Sequence, residues 1–295
     1  MAGSLDRPSA ARVYDYFLGG TMNYAIDRAF AQQVRRRVPL LGHYMRASRQ
    51  FLGRAVRHCA RLGMTQFVDL GSGLPTVGNV HDVADRARPE QDTRVVYVDN
   101  EPVVLAHSQL LLADTADPER HKAIAADFMR PADVWGRVDD AGVIDLDLPI
   151  VLVVNAVLHF VKDAEGPNEI MAHYRSLLPA GSLLVLSQMT GENPRDEQER
   201  QALADLVEYY ERTSNPGQLR STAEFARFFG SWDLLEPGLD SGWPSAPRRR
   251  LRRTSPPAAA GPPPWPREWH RRRARTWRRN SRPTSSICRG PARRR

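Results

Sequence analysis

The chain has 295 residues, 41% of them hydrophobic, which is enough to bury the core of one large domain or two smaller ones. The net charge of +8 is unevenly spread: residues 241–295 contain 17 Arg and one acid, whereas residues 1–240 contain 25 basic and 33 acidic residues. The longest apolar run, residues 148–161, is too short to cross a bilayer, and the N-terminus lacks an apolar signal core. Cys59 and Cys288 match no metal or redox spacing. We therefore expect a cytoplasmic protein with an acidic body and a basic tail.

Three helices are predicted in the first part of the chain. The first begins at Pro8-Ser9, runs through Tyr16 and is ended by Gly19-Gly20. The second covers about residues 27–37, before a proline. The third covers about residues 43–62, where apolar residues recur at spacings of three and four.

From residue 67 onward, short apolar segments alternate with helical ones. The five candidate strands lack alternating polarity, as is typical of strands buried on both faces. They are residues 67–70, 94–98, 122–125, 150–154 and 182–186. The helices predicted between them are residues 80–88, 102–112, 132–135 and 168–178. This alternation predicts an α/β fold with a mostly parallel sheet and helices on both faces.

A charged helix is predicted next, over residues 194–213, as an insertion. Ser221 and Glu224 have the spacing of a capping box, which predicts a helix from there through Phe229. Residues 231–235 form a sixth candidate strand. No seventh strand is identified in the sequence that follows.

The last segment has a different composition, because residues 241–295 hold 10 Pro and 17 Arg with few aliphatic residues. Arg, Pro, Ala and Gly have GC-rich codons, so one hypothesis is that residues from about 240 onward result from a frameshift. Translation of the other reading frames of the gene tests it. The alternatives are a disordered tail, or a nucleic-acid arm in which Arg binds phosphate while Trp265, Trp269 and Trp277 stack on bases.

The most informative motif is the segment 67–76, in which an apolar strand with Asp69 leads into Gly71 and Gly73. Such a turn lets the backbone approach a ligand closely, and Pro75 suits the first turn of a helix. A dinucleotide fingerprint needs a third glycine at the position held here by Thr76. This argues against an NAD(P)-linked oxidoreductase and favours a ligand without a pyrophosphate.

Polar residues also follow the next three strands. Asp99 can accept both hydroxyls of a ribose, Asp127 can accept from an adenine amine beside Phe128, and Asn155 closes the fourth strand. Because parallel strands end at one edge of a sheet, we expect a nucleoside site there. Structural alternatives remain open: Asp99 as a helix cap, Asp69 as a support of the loop.

The order of these motifs resembles class I S-adenosylmethionine-dependent methyltransferases. It is similar, more specifically, to the actinobacterial S-adenosyl methyltransferase family that was formerly a domain of unknown function. Three segments carry the resemblance, which covers about residues 7–239: residues 8–24, 67–76 and 96–103. The first segment is specific to that family, and the other two are shared widely among methyltransferases.

The resemblance implies a Rossmann-like fold: a seven-stranded sheet with an antiparallel last strand, preceded by a helical cap. The expected organisation is a cap over residues 1–62, a cofactor-binding domain over 63–239 with a helical insertion at 194–220, and the Arg/Pro-rich tail at 240–295. The sequence leaves the last strand unassigned.

The resemblance also implies S-adenosylmethionine as cofactor and methyl transfer to an unidentified, small-molecule acceptor. The residues it places at the cofactor are Asp69, Gly71, Ser72, Gly73, Asp99, Asn100, Asp127, Phe128 and Asn155, with Tyr14 and Asn23 covering the site. His159 is the candidate general base, or else a histidine of the core. A non-catalytic S-adenosylmethionine-binding protein, or one associated with nucleic acid, is the alternative. Neither a metal nor a membrane is expected.

Overall fold

The structure, a computed structural model, describes residues 6–75, 78–192, 194, 196–241 and 284–289. Helices cover both faces of one mostly parallel sheet. The alternation of strand and helix predicted from the sequence is confirmed.

The sheet is built from strands of two to six residues. They are β1 (Gln66–Leu70), β2 (Arg94–Asp99), β3 (His121–Ala125), β4 (Val151–Asn155), β5 (Leu183–Gln188), β6 (Asp233–Leu234), β7 (Asp240–Ser241) and β8 (Thr284–Arg289). The order across the sheet is β3-β2-β1-β4-β5-β8-β6, with β7 also paired to β8. β1 to β5 run parallel. The strand order reverses direction between β1 and β4, and open α/β sheets bind ligands at such a point.

The helices lie before, between and after these strands. They are α1 (Ala10–Leu18), α2 (Ala25–Arg37), α3 (Leu41–Arg61), α4 (Val80–Ala87), α5 (Pro102–Thr115), α6 (Pro131–Asp140), α7 (Pro167–Leu177), α8 (Glu197–Tyr210) and α9 (Thr222–Ala226). Two predictions need correction. α6 continues past Trp135, because Val138 is buried one turn later. α4 begins at Val80, so Pro75 lies in the preceding loop and not in the first turn of a helix.

A strand that the sequence analysis does not identify completes the sheet. β8 pairs antiparallel with β5 along its whole length and with β6 on its other side. The strand was missed because it has one aliphatic residue, Ile287, and its burial comes from both faces of the sheet, not from a local pattern. The predicted tail is therefore wrong for these six residues. Residues 242–283 and 290–295, including the three tryptophans considered for nucleic acid, lie outside the described part, and the frameshift remains a hypothesis.

The core has two layers, one on each face of the sheet. One face packs against α6, α7 and α9, and its central side chains are Val68, Val96, Leu152, Leu184, Trp135, Tyr174 and Phe225. The other face packs against α3, α4 and α5, and its central side chains are Phe67, Val95, Val151, Val185, Leu52, Val56 and Val83. Burial of both faces explains why the strands read as continuous apolar runs.

The N-terminal helices form a third apolar cluster together with the inserted helix. Val13 and Phe17 of α1, Phe30 of α2 and Leu41 of α3 pack in one cluster with Leu206 of α8. The predicted cap and the predicted insertion therefore share one core. This packing holds α1 and α8 beside the carboxyl end of the sheet, where the cavity described below lies.

Two buried histidines pack against each other on the face that α4 covers. The ring centroids of His81 and His121 are 5.0 Å apart, and the Tyr97 hydroxyl lies 2.7 Å from His81 Nδ1. Burial is the largest effect on each ring and lowers the pKa of His81, and of His121 to about 4, against the opposing effect of Asp85. The folded protein therefore holds both rings neutral at neutral pH.

These histidines predict a loss of stability in mild acid. Between about pH 6.5 and about pH 4 the unfolded chain protonates His121 while the folded chain does not, so the free energy of unfolding falls as the pH falls; the lowered pKa of His81 acts in the same direction. Urea unfolding at a series of pH values measures the slope. His121→Phe is expected to flatten it, and the same change at the exposed His173 is expected to leave it unaltered. An unchanged slope in His121→Phe would contradict this account.

Candidate functional site

The carboxyl ends of four neighbouring strands open into one cavity of about 560 Å³. Gly71 follows β1, Asp99 ends β2, Asp127 follows β3 and Asn155 ends β4. The lining includes eleven predicted site residues: Tyr14, Asp69, Gly71, Ser72, Gly73, Asp99, Asn100, Asp127, Phe128, Asn155 and His159. The volume lies within the range of about 300–1,000 Å³ that is common for pockets holding small ligands.

The glycine loop after β1 is bonded to β2 through its own amides. The N–H groups of Gly71 and Ser72 both donate to the Val98 carbonyl, at 2.8 and 3.1 Å, and Gly73 N–H donates to Asp99 Oδ2 at 2.9 Å. Three successive amides are thus engaged within the protein. A pyrophosphate would need such amides as donors, so this loop suits a ligand without one.

Gly71 and Gly73 have left-handed backbone conformations, with φ of +61° and +65°. A Cβ on Gly71 would lie 2.6 Å from Val157 Cγ2, whereas a Cβ on Gly73 would have only Ala11 Cβ within reach, at 4.0 Å. The first glycine is required by packing and conformation, the second by conformation alone.

Asp99 stands at the end of β2 with its carboxylate held by backbone amides. Oδ2 accepts from Gly73 N–H, and Oδ1 accepts from Glu101 N–H, each at 2.9 Å. Burial raises the pKa of Asp99, and these amides lower it in part. Each carboxylate oxygen retains a second lone pair, so both can still accept a hydroxyl of a ligand.

Asp69 lies within β1 and is buried at the cavity wall. Burial raises the pKa of its carboxyl to about 7, with Asp99 adding to this effect and Arg49 opposing it. Arg49 belongs to α3 and also lines the cavity. A cationic ligand beside Asp69 would favour its carboxylate form.

Asp127 and Phe128 follow β3 in a tight turn. Asp127 Oδ1 accepts from Met129 N–H at 3.0 Å, and the Phe128 carbonyl accepts from the Tyr174 hydroxyl at 2.7 Å. Both bonds fix the turn, so an acidic and an aromatic side chain stand together at the cavity.

Asn155 is held from two sides. Its Oδ1 accepts from Ser187 Oγ at 2.7 Å and from Ser48 Oγ at 3.3 Å. The next residue, Ala156, has φ of +59°, which a residue with a side chain rarely adopts. Ala156 N–H donates to Ser187 Oγ and to its carbonyl. Strain of this kind concentrates at functional sites, and nothing in the sequence signals it.

The N-terminal cap reaches the cavity through Tyr14, whose hydroxyl donates to the Met45 carbonyl at 3.0 Å. Asn23 is not brought to the cavity wall. Its side chain donates to Asp15 Oδ2 at 2.7 Å and to the Gly20 carbonyl at 2.9 Å, so it supports the turn after α1. The predicted contact of Asn23 with the cofactor stays a prediction without a direct path in this structure.

Arg12, which the sequence analysis does not single out, joins the cap to the end of β2. Its guanidinium bonds Asp27 Oδ2 at 2.7 Å, the Glu101 carboxylate and the Arg7 carbonyl, and it is completely buried. Glu101 also accepts from Ser9 Oγ. Arg12 lies inside the segment 8–24 that carries the family resemblance, so its position, though not its role, was visible in the sequence.

His159 lies in a short 3₁₀ helix, Leu158–Phe160, after β4. Burial, helped by Arg220, lowers the pKa of its imidazole to about 4. Nδ1 accepts from Met189 N–H at 3.4 Å, which assigns the proton of the neutral ring to Nε2. The His159 ring is therefore better suited to donate a hydrogen bond through Nε2 than to accept a proton as a base.

A further wall of the cavity is apolar and comes from α3, α8 and the 3₁₀ helix. The rings of Phe160 and Tyr210 lie 5.6 Å apart, and Leu206 lines the same cavity. The Tyr44 hydroxyl donates to the Glu199 carboxylate, which joins α3 to α8 across this wall. Sequence periodicity marks these residues as apolar or helical, but it does not reveal that they face a cavity.

A family model described as S-adenosyl methyltransferase matches residues 4–256, which is most of the chain. The chain belongs to the S-adenosyl methyltransferase family. It is a methyltransferase that uses S-adenosylmethionine, and the resemblance seen in the sequence is confirmed. The dinucleotide-dependent oxidoreductase considered above is thereby set aside. The match also extends beyond residue 239, where the sequence resemblance was expected to end.

Two solved structures are similar over nearly the whole chain and confirm the Rossmann-like methyltransferase fold. A DUF574 family protein from Streptomyces avermitilis MA-4680 gives a TM-score of 0.77 at 31% identity, covering 97% of this chain and 98% of that chain. A proposed methyltransferase from Thermobifida fusca YX gives a TM-score of 0.75 at 29% identity, covering 98% and 97%. The comparison with curated proteins finds no match.

The residues present fit S-adenosylmethionine. The cavity includes a glycine loop whose amides already donate to protein acceptors and so do not require a phosphate. It also includes the buried carboxylate of Asp99, which can accept ribose hydroxyls, and the adjacent side chains of Asp127 and Phe128. Within the described ranges, no group of His, Cys, Asp and Glu could hold a metal ion. The helices of those ranges include none that is both long and apolar enough to cross a bilayer.

Proposed function

We propose that this methyltransferase acts on a small molecule that is neutral or cationic. The observation that carries the proposal is one cavity whose wall joins the predicted cofactor residues to the apolar side chains of α8 and the 3₁₀ helix. The shared core of α1, α2, α3 and α8 supports an enclosed site, because it holds the cap and the insertion together beside the sheet.

The proposed cofactor contacts follow the strand ends. Gly71 and Gly73 approach the methionine part, Asp99 holds the ribose, and Asp127 with Phe128 contacts adenine. Asn155 lies near the sulfonium. The remaining contacts to the cofactor come from the flanking residues Asp69, Ser72, Asn100 and Tyr14. The backbone bonds at Asp99 and the serine bonds at Asn155 support these roles, because they fix both side chains before a ligand arrives.

When bound, S-adenosylmethionine supplies a methyl group on a sulfonium, which is already a good leaving group. The protein's contribution is then orientation and the exclusion of water. Ser48 and Ser187 orient Asn155 through hydrogen bonds to its Oδ1. Phe160 and Tyr210 form an apolar wall against which the acceptor packs. No side chain needs to form a covalent bond with the cofactor or the acceptor.

His159 is proposed to contact the acceptor. The sequence makes His159 the candidate general base, but the low pKa of its imidazole makes it a weak base at neutral pH. The bond from Met189 N–H favours a role as donor through Nε2. General-base catalysis by His159 stays a prediction.

The charge of the cavity supports the proposed acceptor class. Among its described lining residues are seven acidic side chains and one guanidinium, that of Arg49. Glu101 is paired with Arg12 and burial raises the pKa of Asp69 to about 7, and the acids still outnumber the cation without these two. An excess of one sign in a partly closed site attracts ligands of opposite charge and repels those of like charge. A carboxylate or phosphate on the acceptor would meet this repulsion.

Matched phenols test the acceptor class. Phenol, tyramine and 4-hydroxybenzoate differ at one position, which is neutral, cationic or anionic. In full-length protein loaded with S-adenosylhomocysteine, we expect 4-hydroxybenzoate to bind roughly tenfold more weakly than tyramine, measured by saturation-transfer NMR and by methyl transfer from labelled S-adenosylmethionine. The difference should shrink as salt is added. A preference for the anion would contradict the proposed class, and transfer confined to proteins or nucleic acids would contradict a small-molecule acceptor.

A cytoplasmic location is also proposed. Cys59 and Cys288 are both buried free thiols, which is usual for proteins of a reducing compartment.

A further inference from the structure

Gln188 is the last residue of β5 and lies beyond the strand ends that hold the proposed cofactor contacts. Its neighbour Ser187 pairs in register with Asn155 of β4, so Gln188 stands one residue farther toward the open end of the sheet. β5 is the next strand after β4, on the side away from β1, β2 and β3. Gln188 lines the cavity at this position.

The carboxamide of Gln188 is buried without a partner. The residue is 2% exposed, and neither Oε1 nor Nε2 has a hydrogen bond among the described residues. An unsatisfied primary amide in a protein interior is costly, because it has lost water without gaining another partner. Most buried polar side chains in native proteins are bonded, so this one calls for an explanation.

Gln66 shows what a satisfied buried glutamine looks like in the same sheet. It is also 2% exposed and lies at the first position of β1. Its Nε2 donates to the Asp145 carbonyl at 2.9 Å, and its Oε1 accepts from Asp145 N–H at 2.6 Å. Gln66 is not among the residues that line the cavity described above, and its bonds to Asp145 close a loop. Gln188 has the same burial, faces the cavity and lacks both bonds.

We propose that Gln188 binds the methyl acceptor and determines which acceptors enter. A carboxamide presents one donor and one acceptor in a plane, so its complement is a ligand with an adjacent acceptor and donor. Carboxamides, lactams and hydroxyls beside a carbonyl have this pattern. The acceptor class is then a planar, largely apolar molecule that carries such a pair. This inference rests on the proposed small-molecule function and names the recognition group within it.

The position of Gln188 argues for the acceptor over the cofactor. The proposed contacts to ribose, adenine and sulfonium lie on β1 to β4, and Gln188 lies past them on β5. Met189, the next residue, donates through its N–H to His159, which is itself proposed to contact the acceptor. Both side chains thus belong to the same part of the cavity wall.

The melting temperature of the full chain without added ligand gives the first test. Gln188→Met removes an unsatisfied amide at similar size and is expected to raise the melting temperature by about 2–4 °C. Gln66→Met removes a bonded amide and leaves the N–H and carbonyl of Asp145 without these hydrogen bonds, so it is expected to lower the melting temperature by about 4 °C or more. Gln188→Leu repeats the comparison. A fall in both Gln188 variants would show that the amide is bonded within the fold, and would overturn the proposal.

Ligand binding gives the second test, with benzamide and toluene as probes. In protein saturated with S-adenosylhomocysteine, we expect benzamide to bind more tightly than toluene, and Gln188→Met to weaken benzamide roughly tenfold while leaving toluene and S-adenosylhomocysteine unchanged. Equal affinity for the two probes in the unmodified protein, or unchanged benzamide affinity in the variant, overturns the role of Gln188. Transfer confined to macromolecules would instead contradict the small-molecule function, and the melting comparison would still report on Gln188.

Discussion

Replacing Arg12 with methionine is expected to lower the free energy of unfolding by about 3–5 kcal/mol, the cost of removing one partner from a buried ion pair. The guanidinium is completely buried and bonds both Asp27 and Glu101. Without it, two carboxylates remain in the interior facing each other across the space it held. The effect is large because the desolvation of these acids is no longer offset.

Loss of Arg12 should also weaken cofactor binding. Glu101 lies two residues after Asp99 in the chain. The backbone N–H of Glu101 is one of the two amides that donate to the Asp99 carboxylate. When Glu101 loses its cation, the turn after β2 loosens and the cap detaches from it. We expect S-adenosylhomocysteine affinity, measured by calorimetry at a temperature where the variant is folded, to fall roughly tenfold.

Arg86→Met is the matched control for that substitution. Arg86 is exposed and pairs with Asp82 one helical turn away, at 3.8 Å. Exposed pairs of this kind contribute about 0.3–0.5 kcal/mol, so urea unfolding should barely change. If Arg12→Met lost no more stability than Arg86→Met, the buried network would not be what joins the cap to the sheet.

Gly71→Ala is expected to cost about 1–3 kcal/mol of stability and to weaken S-adenosylmethionine binding roughly tenfold or more. The alanine would have to adopt the positive φ of Gly71, and its Cβ would lie 2.6 Å from Val157 Cγ2. Because Val157 is β-branched, its rotamer cannot easily adjust. The loop must therefore shift, and it carries the amides that bond β2 and Asp99. Calorimetry and urea unfolding measure the two effects.

Two other glycines separate the causes. Gly73→Ala introduces the same backbone strain with open space around the Cβ, so it should cost about 1–2 kcal/mol and less affinity than Gly71→Ala. Gly136→Ala lies on the exposed side of α6 with nothing within 4 Å, and should stabilise by up to about 1 kcal/mol. Equal affinity in Gly71→Ala and Gly136→Ala would refute a role of the first glycine at the cofactor.

The sequence allowed the central sheet and the strand-end residues to be predicted together. Strands buried on both faces have short Val, Ile and Leu runs, and parallel strands end at one edge, so the position of Asp99 after one run and Asn155 after another was informative. The glycine loop also predicted a ligand without a pyrophosphate. In the structure its amides are engaged by β2, which gives the physical reason.

Contacts between distant segments could not be predicted in the same way. β8 was missed because its six residues have almost no apolar pattern, and their burial comes from β5 and β6. Ser48 and Ser187 have ordinary sequence surroundings, and Arg12 lies in a recognisable segment, but the roles of all three arise from partners far along the chain. Asn23 supports the turn after α1 through bonds to Asp15 and to the Gly20 carbonyl, a role that its sequence position did not indicate, and its contact with the cofactor stays a prediction.

The sequence by itself determined the class of fold and the place of a nucleoside site, because these depend on local patterns: apolar strand runs, a glycine turn and polar residues at strand ends. The family and the cofactor followed from the resemblance of residues 8–24, 67–76 and 96–103 to known methyltransferases. The tertiary structure alone decided how the cap, the insertion and β5 surround the remaining space. That space is where Gln188 lies buried without a partner and where carboxylates outnumber cations. Burial and charge balance of this kind are sums over residues distant in sequence, so only the folded chain supports a proposal for the acceptor class.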